Sequence, residues 1–264
     1  MTAIGALGAT ATLVAAAFAC CTYERWTARH RPHELAWTQA LVMFTLASAA
    51  YWSAGAIGWH DWNFRAFYLF GAIVNVPYLA VGTVYLLAGE RIGASVHRWL
   101  HLAAAFCAGA IVFAPMSPLP SSGLPQGKEV FGVGPRIMAA VGSGVGATVL
   151  IAGALWSVWT LVRSRRRPAA GAAPTVAPGR LAVTNVLIAV GSFVLGLGGV
   201  FYTGNDAELA FGVFLVVGIT LLFTGFLVSS PAPRAVAAVP PAASDDPFMA
   251  ELWSIAHEPR SKSA

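Results

Sequence analysis

The sequence predicts an all-α membrane protein: a polytopic bundle of seven transmembrane helices, N-terminus outside and C-terminus cytoplasmic. Three observations predict it. The AVILMFWYC set makes up 57% of the 264 residues and charged residues only 10%, against about 25% in a soluble domain. Seven apolar windows are long enough to cross about 30 Å of hydrocarbon. Thirteen of the sixteen cations then fall on one side of the alternating topology, which makes that side the cytoplasm.

Helix one, near 2–23, lacks a basic leader and a clear cleavage site before Cys21, so it reads as a retained span rather than a signal peptide. Cys20 only loosely resembles a lipoprotein acceptor. Cys20 and Cys21 read as small thiols at an inner helix end, with lipidation as the alternative. Helices two and three lie near 35–58 and 66–89. Helix four, near 97–114, is the weakest, because Arg98 must snorkel from its entry turn. Charge supports it independently: without it, Arg163, Arg165, Arg166 and Arg167 would share a side with Arg65. Helices five, six and seven lie near 137–162, 181–203 and 209–230, completing a transmembrane domain over 1–230.

The outer loop 115–136 carries five prolines, which predicts an irregular, stiff segment. The inner segment 164–180 and the stretch 231–243 are Pro/Ala-rich linkers. The tail 231–264 carries an Asp246-Pro247 start signal and an apolar face of Phe248, Leu252, Ile255 and Ala256. These predict either a short amphipathic helix over 247–257 that meets the membrane or a protein partner, or a partly ordered tail. The pI near 9.4 comes from arginines beside helix ends. They imply anionic lipid headgroups within the bilayer as counter-charge, and no nucleic acid.

The acidic residues all fall at boundaries or tails by this topology, Glu34 among the inner ones, which argues against a proton or cation antiporter. Lys128 and Lys262 are the only lysines and neither lies inside a helix, so no retinal Schiff base can form. Val141-Gly142-Ser143-Gly144 lacks the first glycine of an intramembrane serine protease motif, and helices six and seven contain no histidine. His97 and His101 share a helix face at i, i+4 and are the only weak metal candidates. Carboxylate and cysteine ligands are missing beside them, so neither metal nor another cofactor is expected.

Small and polar stripes carry most of the remaining information. On helix three, Gly71, Asn75, Tyr78, Gly82, Tyr85 and Gly89 follow a helical repeat, and on helix six Asn185, Ala189, Ser192, Gly196, Gly199 and Thr203 do the same. Gly142, Gly146 and Gly153 mark helix five. Such faces point into a bundle, either as packing surfaces or as a pocket or pore lined by Asn75, Tyr78, Tyr85, Asn185 and Ser192. Pro77 frees the Ile73 carbonyl and can kink helix three beside Asn75. At the outer rim, most aromatics read as interfacial anchors. The run Trp59-His60-Asp61-Trp62-Asn63-Phe64-Arg65 offers His60, Asp61 and Arg65 on a short loop as candidates for an outer ligand.

The runs FRAFYLFGAIVNVPYLAVGTVYLLAGER (64–91) and LPQGKEVFGVGPR (124–136) resemble an actinobacterial family of predicted seven-helix integral membrane proteins. The resemblance extends loosely over helices two to seven and implies a bacterial plasma membrane. It supplies no catalytic residue. A more distant resemblance, in helix number alone, is to the seven-helix input modules of bacterial sensors. The expected function is a non-enzymatic sensor or accessory subunit. The alternatives are a transporter or channel for a small neutral solute, using the helix three and helix six stripes, and an enzyme acting on a lipid or quinone through His97 and His101.

Overall fold

The computed structural model describes residues 2–120, 123–164, 178–198 and 207–229. Among them the chain is helical, with one isolated antiparallel bridge between Met116 and Phe131 and no strand. The long helices are α1 (Ala3–Arg29), α2 (Pro32–Ile57), α3 (Asp61–Ala88), α4 (Glu90–Phe113), α5 (Val133–Ser164), α6 (Pro178–Gly198) and α7 (Ala207–Ser229). All but α6 are long and apolar enough to cross a membrane, and α6 contributes the apolar stretch Val186–Gly198. They belong to one compact unit, Met1–Ser229. The predicted helix 247–257, the end of helix six at 199–203 and the inner linker 165–177 lie outside the described residues.

Most helices outrun the apolar windows that predict them. α1 continues six residues past 23 to Arg29, α3 begins at Asp61 rather than 66, and α4 begins at Glu90 rather than 97. Charge marks the edge of the hydrocarbon, whereas helical hydrogen bonding continues through the interface until a residue leaves helical conformation. The breaks are sharp for that reason: His30 ends α1 at φ 49°, and Gly58 and Gly89 adopt φ +85° and +84° after α2 and α3. A single residue, Gly89, separates α3 from α4. Of the expected short outer loop at 59–65, residues 59 and 60 lie outside the helix and residues 61–65 form the start of α3. Asn63, fully buried there, accepts from the His60 N–H at 2.8 Å and donates to Gly58 O and Ser53 Oγ.

The helices pack in the spatial order α6, α7, α1, α2, α3, α5, with α4 against α3. Lipid tails are as apolar as leucine, so the close contacts are made by small residues that let backbones approach. The α1–α2 crossing is the tightest example. A Cβ on Gly8 would lie 2.7 Å from Trp52 Cα, and one on Gly55 would lie 2.6 Å from the Gly5 nitrogen. Gly5, Gly8, Ala11, Ala15 and Ala19 are the buried face of α1. The same logic holds on α5, where Gly142 and Gly146 sit against Ile73–Pro77 of α3.

That contact meets an irregularity in α3. Residues Tyr68–Val74 are π-helical, ordinary α-helix resumes at Asn75, and Pro77 has no N–H for the Ile73 carbonyl. A Cβ at Gly142 would lie 2.5 Å from that carbonyl, while the Ser143 hydroxyl donates to Ala72 O at 2.5 Å. The serine of the near-protease motif therefore supports the backbone of a neighbouring helix.

At the end of the bundle where α2 meets α3, Tyr51, Phe64 and Phe131 are buried, with Trp59, Phe67 and Tyr68 packed against them. This corrects the reading of the rim aromatics as mainly interfacial anchors. Trp52 and Trp62 stay exposed, but Phe64 and Phe131 stack 5.5 Å apart and join the α4–α5 loop to the core. The loop is irregular, as its prolines predict, with a one-turn helix at Gly127–Val130.

Gly82 tests the packing face directly. A Cβ there would lie 2.0 Å from Trp37 Nε1, so Gly82→Leu should destabilise the protein by about 1–3 kcal/mol in detergent thermal unfolding. Gly109→Leu, where no atom lies within 4 Å, should leave the midpoint unchanged.

Candidate binding chamber and histidine network

The stripe predicted along helix three does not act as one face. Its members from Asn75 to Tyr85 share one regular α-helical segment, but different neighbours pack against the two edges of the stripe. Asn75 is buried and lines a partly open interhelical chamber together with Leu79 and Thr83, one helical turn apart in succession. Tyr78 and Tyr85 point instead to α4 and Gly82 to Trp37 of α2.

The chamber has a volume of about 410 Å³ and takes its walls from α1, α2, α3, α5, α6 and α7. Its lining is mostly apolar, with Phe18, Phe44, Ile219 and Phe226 prominent, and Asn75 and Ser192 among its few polar groups. Two predicted pore residues from distant parts of the sequence thus meet in one space. Asn185 lies on α6, but its side chain is outside the described part of the structure.

One end of the chamber holds a charge pair that sequence position had assigned to the inner boundary. Glu34 is 3% exposed, and its Oε1 lies 3.6 Å from Arg25 Nε, beyond hydrogen-bond distance. Neither carboxylate oxygen accepts a hydrogen bond from a described residue. Arg25 also lies over the Phe226 ring at 4.5 Å, linking α1 to α7. The Thr22 hydroxyl, which also lines the chamber, donates to the backbone carbonyls of Phe18 and Ala19. Glu34 is thus a partial correction to the expected placing of every acidic residue at a water-facing boundary. It sits in the first turn of α2, but the bundle encloses it.

Across α3 from the chamber lies a second polar group. His97 is buried; its Nδ1 is 3.2 Å from Tyr85 Oη and its Nε2 is 2.6 Å from Gln39 Oε1. Gln39 Nε2 lies 3.5 Å from His101 Nε2, and His101 Nδ1 lies 2.7 Å from the His97 carbonyl. With each ring singly protonated, one proton arrangement satisfies every contact. The carbonyl can only accept, so His101 carries its proton on Nδ1 and accepts from Gln39 at Nε2; Gln39 Oε1 then accepts from His97 Nε2–H, and Tyr85 donates to Nδ1. All four ring nitrogens are then engaged. Tyr78 packs edge-on to both rings, at 5.8 and 5.4 Å. Tyr85 seats against Gly93, where a Cβ would lie 2.3 Å from its ring. Among the described residues no three metal-ligating side chains come together.

The outer candidates separate as well. His60 lines a cleft of about 450 Å³ with Thr2, Trp59 and Glu208, and Asp61 is exposed. Arg65 turns inward and donates to the carbonyls of Ile111 and Ala114, capping the end of α4. The three do not converge on one ligand, because the helical start of α3 sends them in different directions.

Sequence reasoning missed Glu34, Arg25 and Gln39. Gln39 was detectable: an amide inside an apolar span needs a partner by the argument applied to Asn75. Glu34 and Arg25 were not, since their enclosure depends on α7 and Phe226, which are remote in sequence.

The class this architecture defines is a helical membrane protein with a partly open, largely apolar chamber between its helices. No family model, curated protein or solved structure matches the chain.

Gln39→Leu removes partners from both histidines at once. It should lower stability by about 1–3 kcal/mol, and in a double-mutant cycle with His97→Phe the two effects should be markedly less than additive, because the second change removes a group already left without its partner.

Proposed function

We propose that the protein is a non-enzymatic component of the bacterial plasma membrane, a sensor or accessory subunit that holds a small, largely apolar molecule in the interhelical chamber. The observation that carries the reading is the chamber itself. It falls in the size range of small-molecule sites, roughly 300–1,000 Å³, with apolar walls and a few polar groups that can fix orientation. The histidines and Ser143 support a non-enzymatic role, since their polar atoms are committed to internal hydrogen bonds. The bacterial setting rests on the resemblance of 64–91 and 124–136. A carrier for a neutral solute is the second reading, favoured by the π-to-α change and Pro77 of α3 beside chamber-lining Asn75.

The topology belongs to the same proposal: seven crossings, N-terminus outside. Trp59 Nε1 donates to Glu208 Oε1 at 3.1 Å and Tyr51 Oη to the Glu208 carbonyl at 2.6 Å. These bonds support placing the start of α7 beside the α2–α3 turn. α5 starts at that same end, against Phe64, and runs 32 residues away from it. A return crossing by α6 satisfies both, and the arginine bias puts the far end in the cytoplasm.

Two measurements test this. With the three native cysteines replaced, Ser122→Cys should react with an impermeant maleimide in intact cells and Ala172→Cys only after lysis; the reverse pattern would invert the topology. Native mass spectrometry of protein purified from its own membrane should show a small-molecule adduct that Ser192→Phe, which fills the chamber, no longer retains while its unfolding midpoint holds. Equal retention by the filled variant would remove the chamber as the binding site.

A further inference from the structure

We infer that the chamber selects an apolar molecule bearing one neutral hydrogen-bond-donating head, such as an alcohol or phenol, whose head is received by Glu34. The inference rests on the chamber being a binding site. Glu34 lines the chamber, its side chain is 4% exposed, and both oxygens lack a donor among the described residues. A carboxylate deprived of water and left without donors is costly, and a ligand O–H would relieve that cost. Charge restricts the head group. Arg25 at 3.6 Å already neutralises Glu34. A ligand cation would add positive charge to a site where Arg29 and Arg31 already act on Arg25, and a ligand anion would repel Glu34 and bring no hydrogen for its oxygens. Only a neutral donor satisfies the oxygens and preserves the balance. The tail is fixed by the other walls: Phe18, Leu41, Phe44, Leu79, Ile219 and Leu222 present no hydrogen-bonding side-chain atom.

The experiment measures binding of 1-decanol, decane, decylamine and decanoate to the full chain in detergent by native mass spectrometry. Partition of each probe into the micelle cancels when wild type is compared with a variant. Glu34→Leu should weaken decanol by about tenfold or more, the scale of a hydrogen bond to a charged acceptor, and leave decane unchanged. Glu34→Gln, which keeps one carbonyl acceptor but removes the negative charge, should retain most of the decanol affinity and improve decanoate relative to decylamine. In wild type, decanol should bind more tightly than decylamine and decanoate. The proposal is overturned if Glu34→Leu weakens decane and decanol equally, or if decylamine binds best, in each case with Ser192→Phe still abolishing binding; the chamber then remains a site of different chemistry. If no probe binds, or Ser192→Phe leaves binding intact, the chamber reading itself falls, and this selectivity with it. Should Glu34→Leu fail to fold, the change in decanoate against decylamine between wild type and Glu34→Gln decides, and no change overturns the proposal.

Discussion

Every polar group that enters the interior of this bundle has to be supplied with a partner by the protein, because hydrocarbon offers none. Much of the architecture follows from that one constraint. The end of α4 is capped by an arginine reaching across from α3 rather than by water. The π-helical turn of α3 is supported by a serine of α5, and Thr2 at the start of α1 donates to the Gly55 carbonyl of α2. Such bonds average only about 0.6 kcal/mol each in measured membrane bundles. They therefore specify which helix faces which more than they hold the bundle together. Close packing of small residues does the latter, and the α1–α2 and α3–α5 contacts are its main sites.

The two buried polar groups answer the constraint in opposite ways. Around His97 the chain of donors and acceptors closes on a backbone carbonyl, which fixes the proton on His101 Nδ1. A circuit of this kind leaves neither histidine a ring nitrogen free for a ligand. Around Glu34 the circuit stays open: the carboxylate has charge compensation without hydrogen bonds. That difference, rather than the presence of polar residues as such, is what makes the chamber the functional candidate. Ser48 is a smaller exception, its buried hydroxyl having no partner among the described residues. The structure offers no reason for it.

The faces of α4 and α5 that turn away from α3 bear large exposed apolar side chains, among them Trp99, Phe106 and Phe113 on α4 and Ile137, Ile151 and Leu155 on α5. In a membrane these surfaces meet lipid tails. α3 is accordingly the centre of its half of the bundle, contacting α2, α4 and α5 at once. Its break at Asn75 and Pro77 lies where those neighbours converge.

The sequence by itself determined the membrane setting, the helical class and the approximate spans, because apolar run length is set by bilayer thickness and each run carries that signal alone. It also marked Asn75, Gly142, Gly146 and Gly153 as inward-facing, since a polar or very small residue gains nothing against lipid. It could not give the helix ends, where interfacial charges and continuing backbone hydrogen bonds part company, as at Arg29 and Glu90. Only the tertiary structure decided that Asn75 and Tyr78 belong to different sites: a three-residue step in an α-helix falls about 60° short of a full turn, and different neighbours pack against the two edges of that face. Only it placed Gln39 between two histidines and closed Glu34 behind Arg25 and Phe226. Those environments are made by residues up to about two hundred positions apart, and enclosure is a property of the assembled helices rather than of any one of them.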